Sequence, residues 1–340
     1  MKKGQITIKD IARKMNTSIT TVSRALSNSP LVRQETKELI QAFANEHHYV
    51  PSYQGFSLRS SKTNTIGIIL PKLVHEFFSK VIRGVEHYAQ AHHYNVILCP
   101  SHDSYEREVS HVNRLINGRV DGLIACISNE TQDFGHFESC VERGIPLVFF
   151  DCVCDGFTVP TVVLDDFNAG YHAVTHLIEQ GCRRIAYLGG PNHVSVNKNR
   201  YNGYLKALSD AQLGMNSTWE SHCPTDSYEI GSAHTNLLLD TNEIDGIFAS
   251  TDVLAISAIK AIKARGLRVP EDIAVVGFSN WSIGSMYEPA LTTMSQPGRK
   301  IGQKAAQSLI RQINDPEHQH HERIVIKSDL LIRESSVRVV

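Results

Sequence analysis

Two short amphipathic segments lie close together near the start of the chain, within residues 7–27 (TIKDIARKMNTSITTVSRALS). In the first segment, apolar side chains recur at the i, i+3, i+4 and i+7 spacing of one helix face, at Ile8, Ile11, Ala12 and Met15. Thr7 and Asp10 can form a weak Thr-x-x-Asp capping box at its N-terminus. The pattern predicts a short helix that buries one face.

A second helix is predicted after a tight turn, with Ser18 as its N-cap. Val22 and Leu26 would point back onto the first helix, and a third helix would close a three-helix core through Leu39, Ile40 and Phe43. The opposite face of the second helix is polar and carries Thr20, Ser23, Arg24 and Ser27, with Ile19 beside them. This is the helix-turn-helix arrangement that fits a DNA major groove, although any small helical hairpin also has a solvated face.

From Thr65 onward, short apolar runs alternate with helix-length amphipathic segments. The runs predict strands at IGIIL (66–70), NVILC (95–99), DGLIAC (121–126), PLVFFD (146–151), TVVLDD (161–166), RIAYLGG (184–190), DGIFAS (245–250) and IAVVGF (273–278). Such alternation predicts parallel sheets covered by helices on both faces. Eight strands are too many for one small sheet, and the break near residue 160 indicates two lobes.

In open α/β sheets, ligands bind at the carboxyl ends of the strands, so polar residues there are candidate ligand contacts. The predicted ends are Pro71 to Phe78, Ser101 to Asp103, Asp151, Asp165 and Asp166, Gly190, Ser250 to Asp252, and Ser279 to Trp281.

Charge is distributed unevenly along the chain. Residues 1–62 hold ten Lys and Arg against four Asp and Glu, whereas the remainder holds 24 basic and 31 acidic residues. A basic first segment beside an acidic body indicates a module that binds a polyanion, followed by a part with another task.

The remaining composition is that expected of a cytoplasmic protein with more than one domain. Met1-Lys2-Lys3 is not followed by the apolar stretch of a signal peptide, and no run approaches the ~18 apolar residues of a membrane span. The seven cysteines contain no C-x-x-C pair and are typical of reduced thiols. His318, His320 and His321 fall in a polar segment, so we expect neither a metal nor a cofactor.

Several segments together resemble the LacI/GalR family of bacterial transcription regulators over essentially the whole length. The first is TIKDIARKMNTSITTVSRALS, and the others follow in the family's order as RSSKTNTIGIILP, VDGLIA, RRIAYLGG, NRYNGYLKAL and VPEDIAVVGFSN. The resemblance implies an all-α helix-turn-helix headpiece (1–50), a hinge helix (51–62), and a two-lobed α/β body like that of periplasmic binding proteins (63–340). It implies a first lobe at about 63–162 plus 293–322, and a second at about 163–292 plus the C-terminal segment.

The resemblance also implies which headpiece residues contact DNA. Ile19 and Thr20 occupy the positions with which the family distinguishes operators, and Ser23 and Arg24 those that support or add contacts. The remaining candidate DNA contacts are Thr7, Ser18, Arg33 and Thr36. Ile19 is unusual because an aliphatic side chain can only touch a thymine methyl group or pack on sugar. Arg33 replaces the small capping residue usual there and would add a phosphate contact.

In the hinge, VPSYQGFSLRSS (50–61), Leu58 lies where the family inserts a leucine into the minor groove. Gly55 lowers helix propensity by ~1 kcal/mol relative to Ala. This hinge is therefore expected to form its helix only on DNA.

Candidate effector contacts that match the family's pocket are Phe77, Phe78, Arg200, Asp252, Ser279, Asn280 and Trp281, and Asp151 is added as a carboxylate at the end of a predicted strand. The Arg200 guanidinium suits a hydroxyl pair or a carboxylate, while Phe77 or Trp281 could stack on a sugar ring, although one of the two Phe residues is expected in the core. Ser279 and Asn280 replace a common pair of carboxylates, which makes a sugar acid more plausible beside a neutral sugar.

The sequence thus predicts a homodimeric, sequence-specific transcription regulator, with repression favoured over activation, that binds a near-palindromic double-stranded operator and a carbohydrate-like effector. Two alternatives remain open. A transport solute-binding protein shares the two-lobed body but needs an export signal, and an enzyme of nucleotide or sugar metabolism needs catalytic groups that the spacing does not assemble.

Overall fold

The computed structural model of the chain describes residues 6–49, 62–154, 156–214, 216–241, 243–317 and 321–338. Most of the predicted hinge, including Leu58, lies outside the described residues, as do His318 and His320. The chain divides into two compact units, Met1–Thr63 and Asn64–Val340, which are described separately below.

The first unit contains three helices, Ile8–Lys14 (α1), Ile19–Leu26 (α2) and Gln34–Glu46 (α3). Thr7 caps α1 through the predicted capping box with Asp10, and Ser18 caps α2. The helices enclose a small core of Ile11, Ala12, Val22, Ala25, Val32, Ile40 and Ala44. The predicted three-helix arrangement is therefore present.

One side chain of the predicted core points elsewhere: Leu39 is 65% exposed, whereas Ile40 is 1% exposed. Consecutive residues of a helix are rotated by about 100°, so Leu39 and Ile40 cannot both face α1 and α2. The buried stripe of α3 runs instead through Lys37, Ile40 and Ala44. The prediction that Leu39 helps to close the core is wrong.

The strands of the second unit are, in chain order, Thr65–Leu70 (β1), Asn95–Pro100 (β2), Gly122–Ala125 (β3), Leu147–Phe150 (β4), Thr161–Leu164 (β5), Ile185–Gly189 (β6), Glu220–His222 (β7), Gly246–Ala249 (β8), Ala274–Ser279 (β9), Thr292–Ser295 (β10), Arg323–Ile326 (β11) and Leu330–Leu331 (β12). Its α-helices are Glu76–Ala91 (α4), Tyr105–Asn117 (α5), Gly135–Glu142 (α6), Asp166–Glu179 (α7), Ser195–Asp210 (α8), Tyr228–Thr241 (α9), Asp252–Ala264 (α10), Ser282–Met286 (α11) and Gly298–Asn314 (α12).

The described strands form two sheets of six. The first has the order β11-β5-β4-β3-β1-β2 and is parallel throughout, while the second has the order β12-β10-β9-β8-β6-β7. In the second sheet only β12 runs antiparallel, against β10. The two-lobed α/β fold predicted from the sequence is confirmed, with this one antiparallel edge strand added.

The chain passes between the lobes three times. It leaves the first lobe between β5 and α7, returns between β10 and α12, and crosses again between β11 and β12. The last two crossings therefore follow Ser295 and Ile326, a few residues beyond the predicted limits near 292 and 322. Both strands involved have only four residues, and β11 exposes Arg323 and Val325, so its apolar run is limited to Ile324, Val325 and Ile326.

Two glycines allow α7 and α8 to pack closely. A Cβ atom on Gly203 of α8 would lie 2.2 Å from the Phe167 carbonyl oxygen, and one on Gly170 of α7 would lie 2.5 Å from the Arg200 carbonyl oxygen. Because neither glycine has a side chain, the backbones of α7 and α8 approach each other closely. This close packing positions the α8 segment that carries Arg200. Within the described residues, no helix is both long enough and apolar enough to cross a membrane.

Candidate functional site

The first unit presents one face of α2 to solvent. Val22 and Ala25 are buried against the other two helices, whereas Ile19 is 42% exposed and Arg24 is exposed. Thr20 and Ser23 are half-buried on the same helix. Ile19 begins the helix, so its side chain lies at the end that a helix-turn-helix unit directs towards base edges.

The remaining candidate DNA contacts lie at helix N-termini. The Ser18 hydroxyl accepts from the Thr21 amide at 3.1 Å, and the Thr7 hydroxyl donates to Asp10 Oδ2 at 2.6 Å. Arg33 is the exposed N-cap of α3 but makes no capping hydrogen bond among the described residues, and Thr36 lies in the first turn. These N-termini are suited to phosphate groups because unpaired amides and the helix dipole favour anions.

A cleft between the two lobes collects residues from the carboxyl ends of several strands. Its lining includes five of the predicted effector contacts, Phe77, Phe78, Asp151, Arg200 and Ser279. Phe77 and Phe78 also belong to the hydrophobic core and are 3% and 7% exposed. They can therefore offer a ligand little more than a ring edge.

The cationic side chains of the cleft are already paired with carboxylates. Arg200 Nε donates to Asp166 Oδ1 at 2.7 Å, Arg200 Nη1 donates to the Ser250 carbonyl oxygen at 2.8 Å, and the guanidinium lies 3.7 Å from the ring centroid of Phe278. Lys72 Nζ lies 2.6 Å from Asp226 Oδ1 and 3.5 Å from Asp103 Oδ2. Neither cation is an open receptor for an anionic ligand.

Asp151 is the lining carboxylate with an unsatisfied oxygen. It is 7% exposed, follows β4 with a positive φ of 59°, and its Oδ1 atom has no hydrogen-bond partner among the described residues. Burial, reinforced by the nearby Asp166 carboxylate, raises the pKa of Asp151 to about 7. Its side chain is thus poised to meet a hydrogen-bonding group that enters the cleft.

His75 and Trp281 form a second polar pair beside the cleft, with ring centroids 4.5 Å apart. His75 Nδ1 and Trp281 Nε1 are buried and lack partners among the described residues. Burial, together with the positive charges of Lys72 and Arg200, lowers the pKa of His75 to about 4. Two orphaned ring nitrogens thus add to the unsatisfied oxygen of Asp151.

Three predicted effector contacts, Asp252, Asn280 and Trp281, are not among the described lining residues. Asp252 accepts from the Trp281 amide and from Thr293 Oγ1, each at 2.6 Å, and Asn280 Oδ1 accepts from Arg333 Nη2 at 2.8 Å. Both side chains hold the turn after β9 in place. Ser279 does line the cleft, although its hydroxyl donates to Gln296 Oε1 at 2.6 Å.

Several hydrogen bonds join the lobes around this cleft. Besides the Lys72–Asp226 pair, Glu76 Oε2 accepts from the Ser282 amide at 2.8 Å and from its hydroxyl at 2.9 Å. His193 Nε2 and the Asn129 carbonyl oxygen lie 2.9 Å apart. The structure thus has the two lobes closed on each other.

The candidate list from the sequence lacked Asn129, Cys152 and the 223–226 loop, all of which line the cleft. The loop follows β7, whose residues Glu220–His222 are polar and half-buried or exposed. An apolar run could not reveal such an edge strand, so the ligand-facing residues after it were missed as well.

Comparisons with known proteins agree with this division of the chain. Residues 7–52 match the family described as "Bacterial regulatory proteins, lacI family", and residues 63–334 match "Periplasmic binding proteins and sugar binding domain of LacI family". The chain is 33% identical over 337 residues to the HTH-type transcriptional repressor PurR of Haemophilus influenzae strain PittEE, covering 97% of this chain and 98% of the relative.

Two further relatives carry more specific names. The ribose operon repressor of Haemophilus influenzae strain Rd is 30% identical over 333 residues, covering 97% of this chain and 98% of the relative. Among solved structures, a complex of transcriptional regulator CelR with cellobiose has a TM-score of 0.75 and 27% identity, covering 97% of this chain and all of that one.

A helix-turn-helix unit followed by a two-lobed body with an inter-lobe cleft defines a ligand-responsive transcription regulator. This chain belongs to the LacI family of bacterial regulatory proteins.

Proposed function

We propose that this protein is a cytoplasmic repressor that binds a near-palindromic operator as a homodimer and changes its DNA affinity when a neutral, polyhydroxylated effector occupies the inter-lobe cleft. The observation that carries the proposal is a set of buried polar atoms without partners among the described residues: His75 Nδ1, Asp151 Oδ1 and Ser250 Oγ on side chains that line the cleft, and Trp281 Nε1 beside it. Buried polar groups normally have partners, so such a cluster indicates that a ligand supplies them.

The mixture of groups favours hydroxyls as the ligand's polar atoms. The Trp281 nitrogen can only donate, the Asp151 carboxyl group accepts when ionised and can also donate when protonated, and a neutral imidazole nitrogen does either. A hydroxyl group donates and accepts at once, so a sugar satisfies all three kinds of atom. A sugar acid is disfavoured because Arg200 and Lys72 already pair with carboxylates, while Asp151 would repel the incoming charge.

The names of two relatives support this ligand class. One relative is a ribose operon repressor and one solved relative holds cellobiose, both neutral sugars. The relatives reported above are transcription repressors or regulators, so the two alternatives of a transport protein and an enzyme lack comparable support.

For the headpiece we propose that Ile19, Thr20, Ser23 and Arg24 face base edges, whereas Thr7, Ser18, Arg33 and Thr36 face the backbone. Leu58, outside the described residues, is proposed as the minor-groove wedge. A single headpiece covers only half a site, so selection from random DNA should return an inverted repeat. Arg24→Ala should cost roughly 1–3 kcal/mol of specific binding if this side chain reads a base.

Operator binding should also weaken steeply with salt, by about 0.9 log unit per phosphate contact for each log unit of salt. A steep salt dependence of this kind is known for the lac repressor, a member of the same family. A flat salt response, or recovery of DNA without an inverted repeat, would contradict the proposed operator binding.

The effector is tested by calorimetry of the full chain with neutral pentoses, hexoses and disaccharides, the corresponding sugar acids, and nucleobases. The expected result is binding of a neutral sugar, accompanied by a shift in operator affinity. Binding confined to an acid or a nucleobase would overturn the assignment of ligand class while leaving the regulator intact.

Trp281→Phe gives a sharper test at one atom. It removes the indole N–H but keeps an aromatic ring, and that nitrogen has no hydrogen-bond partner in the described part of the chain. Effector affinity should fall about ten-fold, the equivalent of one hydrogen bond of ~1.4 kcal/mol, while the melting temperature of the unliganded protein changes little. Unchanged effector affinity would show that this nitrogen does not contact the ligand.

A further inference from the structure

Cys126, Asp151 and Cys152 come together at the floor of the cleft. Their ligand atoms all lie within 4.8 Å of one another, and all three residues are buried. Cys126 follows β3 and Cys152 follows β4, two neighbouring parallel strands, so the sheet places side chains 26 positions apart beside each other. Asp151 and Cys152 line the cleft, while Cys126 is fully buried.

We propose that these three side chains form a binding site for one thiophilic divalent cation, of which Zn²⁺ is the representative. The Asp151 Oδ2 atom lies 4.0 Å from Cys126 Sγ and 3.9 Å from Cys152 Sγ. Tetrahedral zinc with its usual bond lengths places sulfur and oxygen ligands about 3.5 Å apart. Both sulfur–oxygen distances therefore lie within about half an ångström of those in a tetrahedral zinc site.

The donor set selects the class of ion. Two thiolates favour zinc, cadmium or copper over magnesium and calcium, which prefer oxygen ligands. The fourth position of a tetrahedral ion would face the cleft, because Asp151 and Cys152 form part of the cleft wall. A water molecule or an effector hydroxyl can complete the site there.

Charge and hydrogen bonding also fit a cation. Asp151 is more than nine-tenths buried, its second carboxylate oxygen has no partner among the described residues, and both neighbouring sulfurs approach the same Oδ2 atom. Two thiolates and one carboxylate around Zn²⁺ carry a net charge of −1, so the bound ion would neutralise most of the charge of its three buried ligands. Binding displaces the thiol protons into solvent, so the apparent affinity should rise with pH.

In the direct test, the full, metal-free chain is titrated with Cd²⁺, and binding is monitored through the ultraviolet thiolate-to-metal charge-transfer band. A second titration measures Zn²⁺ binding in competition with a chromophoric chelator. One Cd²⁺ per chain should produce the band. Cys126→Ser and Cys152→Ser should each weaken binding by at least about 100-fold, since loss of an outer-shell partner alone typically costs 10–100-fold.

Cys223→Ser is the matched control, because Cys223 also lines the cleft and is buried but lies outside the three-residue cluster. It should bind Cd²⁺ as the parent does. Near-ultraviolet circular dichroism checks that each serine variant is folded. As a second readout on unmutated protein, Zn²⁺ should protect Cys126 and Cys152, but not Cys154, from alkylation under partly denaturing conditions.

Binding without a charge-transfer band would assign the metal to histidines or carboxylates and overturn the proposal. Equal Cd²⁺ affinity in parent and Cys126→Ser, or equal alkylation of Cys126 with and without Zn²⁺, would do the same. None of these readouts uses the operator or a sugar, so they stand independently of the proposed function.

Discussion

His75 is a cleft histidine whose surroundings oppose its protonation. Its side chain is 13% exposed and faces Lys72 and Arg200 as well as the acids Asp226 and Glu76. Burial is the largest influence and lowers its pKa from 6.5 to about 4. The folded protein therefore keeps this imidazole neutral at a pH where an unfolded chain would bind a proton.

This difference predicts a specific pH dependence of stability. Between pH 7 and pH 5, His75 becomes protonated in the unfolded state but stays neutral in the folded state. This residue alone therefore lowers the free energy of unfolding by about 2 kcal/mol over that interval. In His75→Gln the fall over that interval should be smaller by this amount, as measured by urea unfolding at both pH values. His87 is exposed, so His87→Gln should behave as the parent protein does. If the free energy of unfolding falls as much in His75→Gln as in the parent, His75 is not the source of the pH dependence.

Arg33 at the start of α3 illustrates how one residue affects an element. Small polar N-caps stabilise helices by about 1 kcal/mol, and Arg33 makes no capping bond among the described residues. Arg33→Ser should therefore slow amide hydrogen exchange in the first turn of α3 about five-fold. It should also reduce the slope of operator affinity against salt by about 0.9 per headpiece, since one phosphate contact is lost.

Gln34→Ser is the control for this experiment because it lies one position inside the helix and removes no charge. It should neither slow exchange nor alter the salt slope. If Arg33→Ser slows exchange but leaves the salt slope unchanged, Arg33 is a poor cap that makes no phosphate contact.

The close contact of α7 and α8 gives a second prediction at this scale. Gly203→Ala places a methyl group against backbone atoms of α7, including the Tyr171 amide nitrogen at 2.6 Å, so the helices must separate. The cost should be about 1–3 kcal/mol of stability, and effector affinity should fall because Arg200 moves away from Asp166. Gly214→Ala has no atoms within 4 Å of its new methyl and should be neutral in both thermal melting and calorimetry.

Elements with an apolar run or a clear helical stripe could be predicted from the sequence, and those without one could not. The buried strand Thr65–Leu70 was found from its residues alone. The edge strands β7 and β11 were not, because β7 is polar and β11 holds only three consecutive apolar residues, Ile324 to Ile326. Leu39 was wrongly placed in the core because it is apolar and adjacent to Ile40 in the sequence. Adjacent residues of a helix point in different directions, and Leu39 faces away from the core.

Across the whole molecule, closure of the lobes depends on a few polar bridges. Glu76 reaches Ser282 in the other lobe and does not line the cleft, so it affects the ligand only through closure. Glu76→Ala should destabilise the closed state relative to the open state by about 1 kcal/mol. Effector release, measured by stopped flow, should then be about five-fold faster. Glu86→Ala, an exposed residue of the same helix, is the control, and equal release rates would exclude this bridge from closure.

The ligand site is also a property of the whole molecule, which limits what spacing can reveal. Asp151 was predicted from the end of its strand and Arg200 from the family's pattern, but Asp252 and Asn280 hold a turn instead of lining the cleft. The approach of Cys126 to Cys152 depends on the pairing of β3 with β4. The separation of the two cysteines along the sequence does not indicate that β3 and β4 are neighbours in the sheet.

The three crossings between the lobes have a consequence for protein synthesis. Strand β11 completes the first sheet and β12 the second, and both lie beyond residue 320. The three-helix headpiece has a core of its own and is translated within the first 49 residues. A ribosome therefore presents a DNA-reading unit long before either ligand-binding lobe can be finished, so a chain stalled late in translation could occupy DNA without being able to respond to its effector.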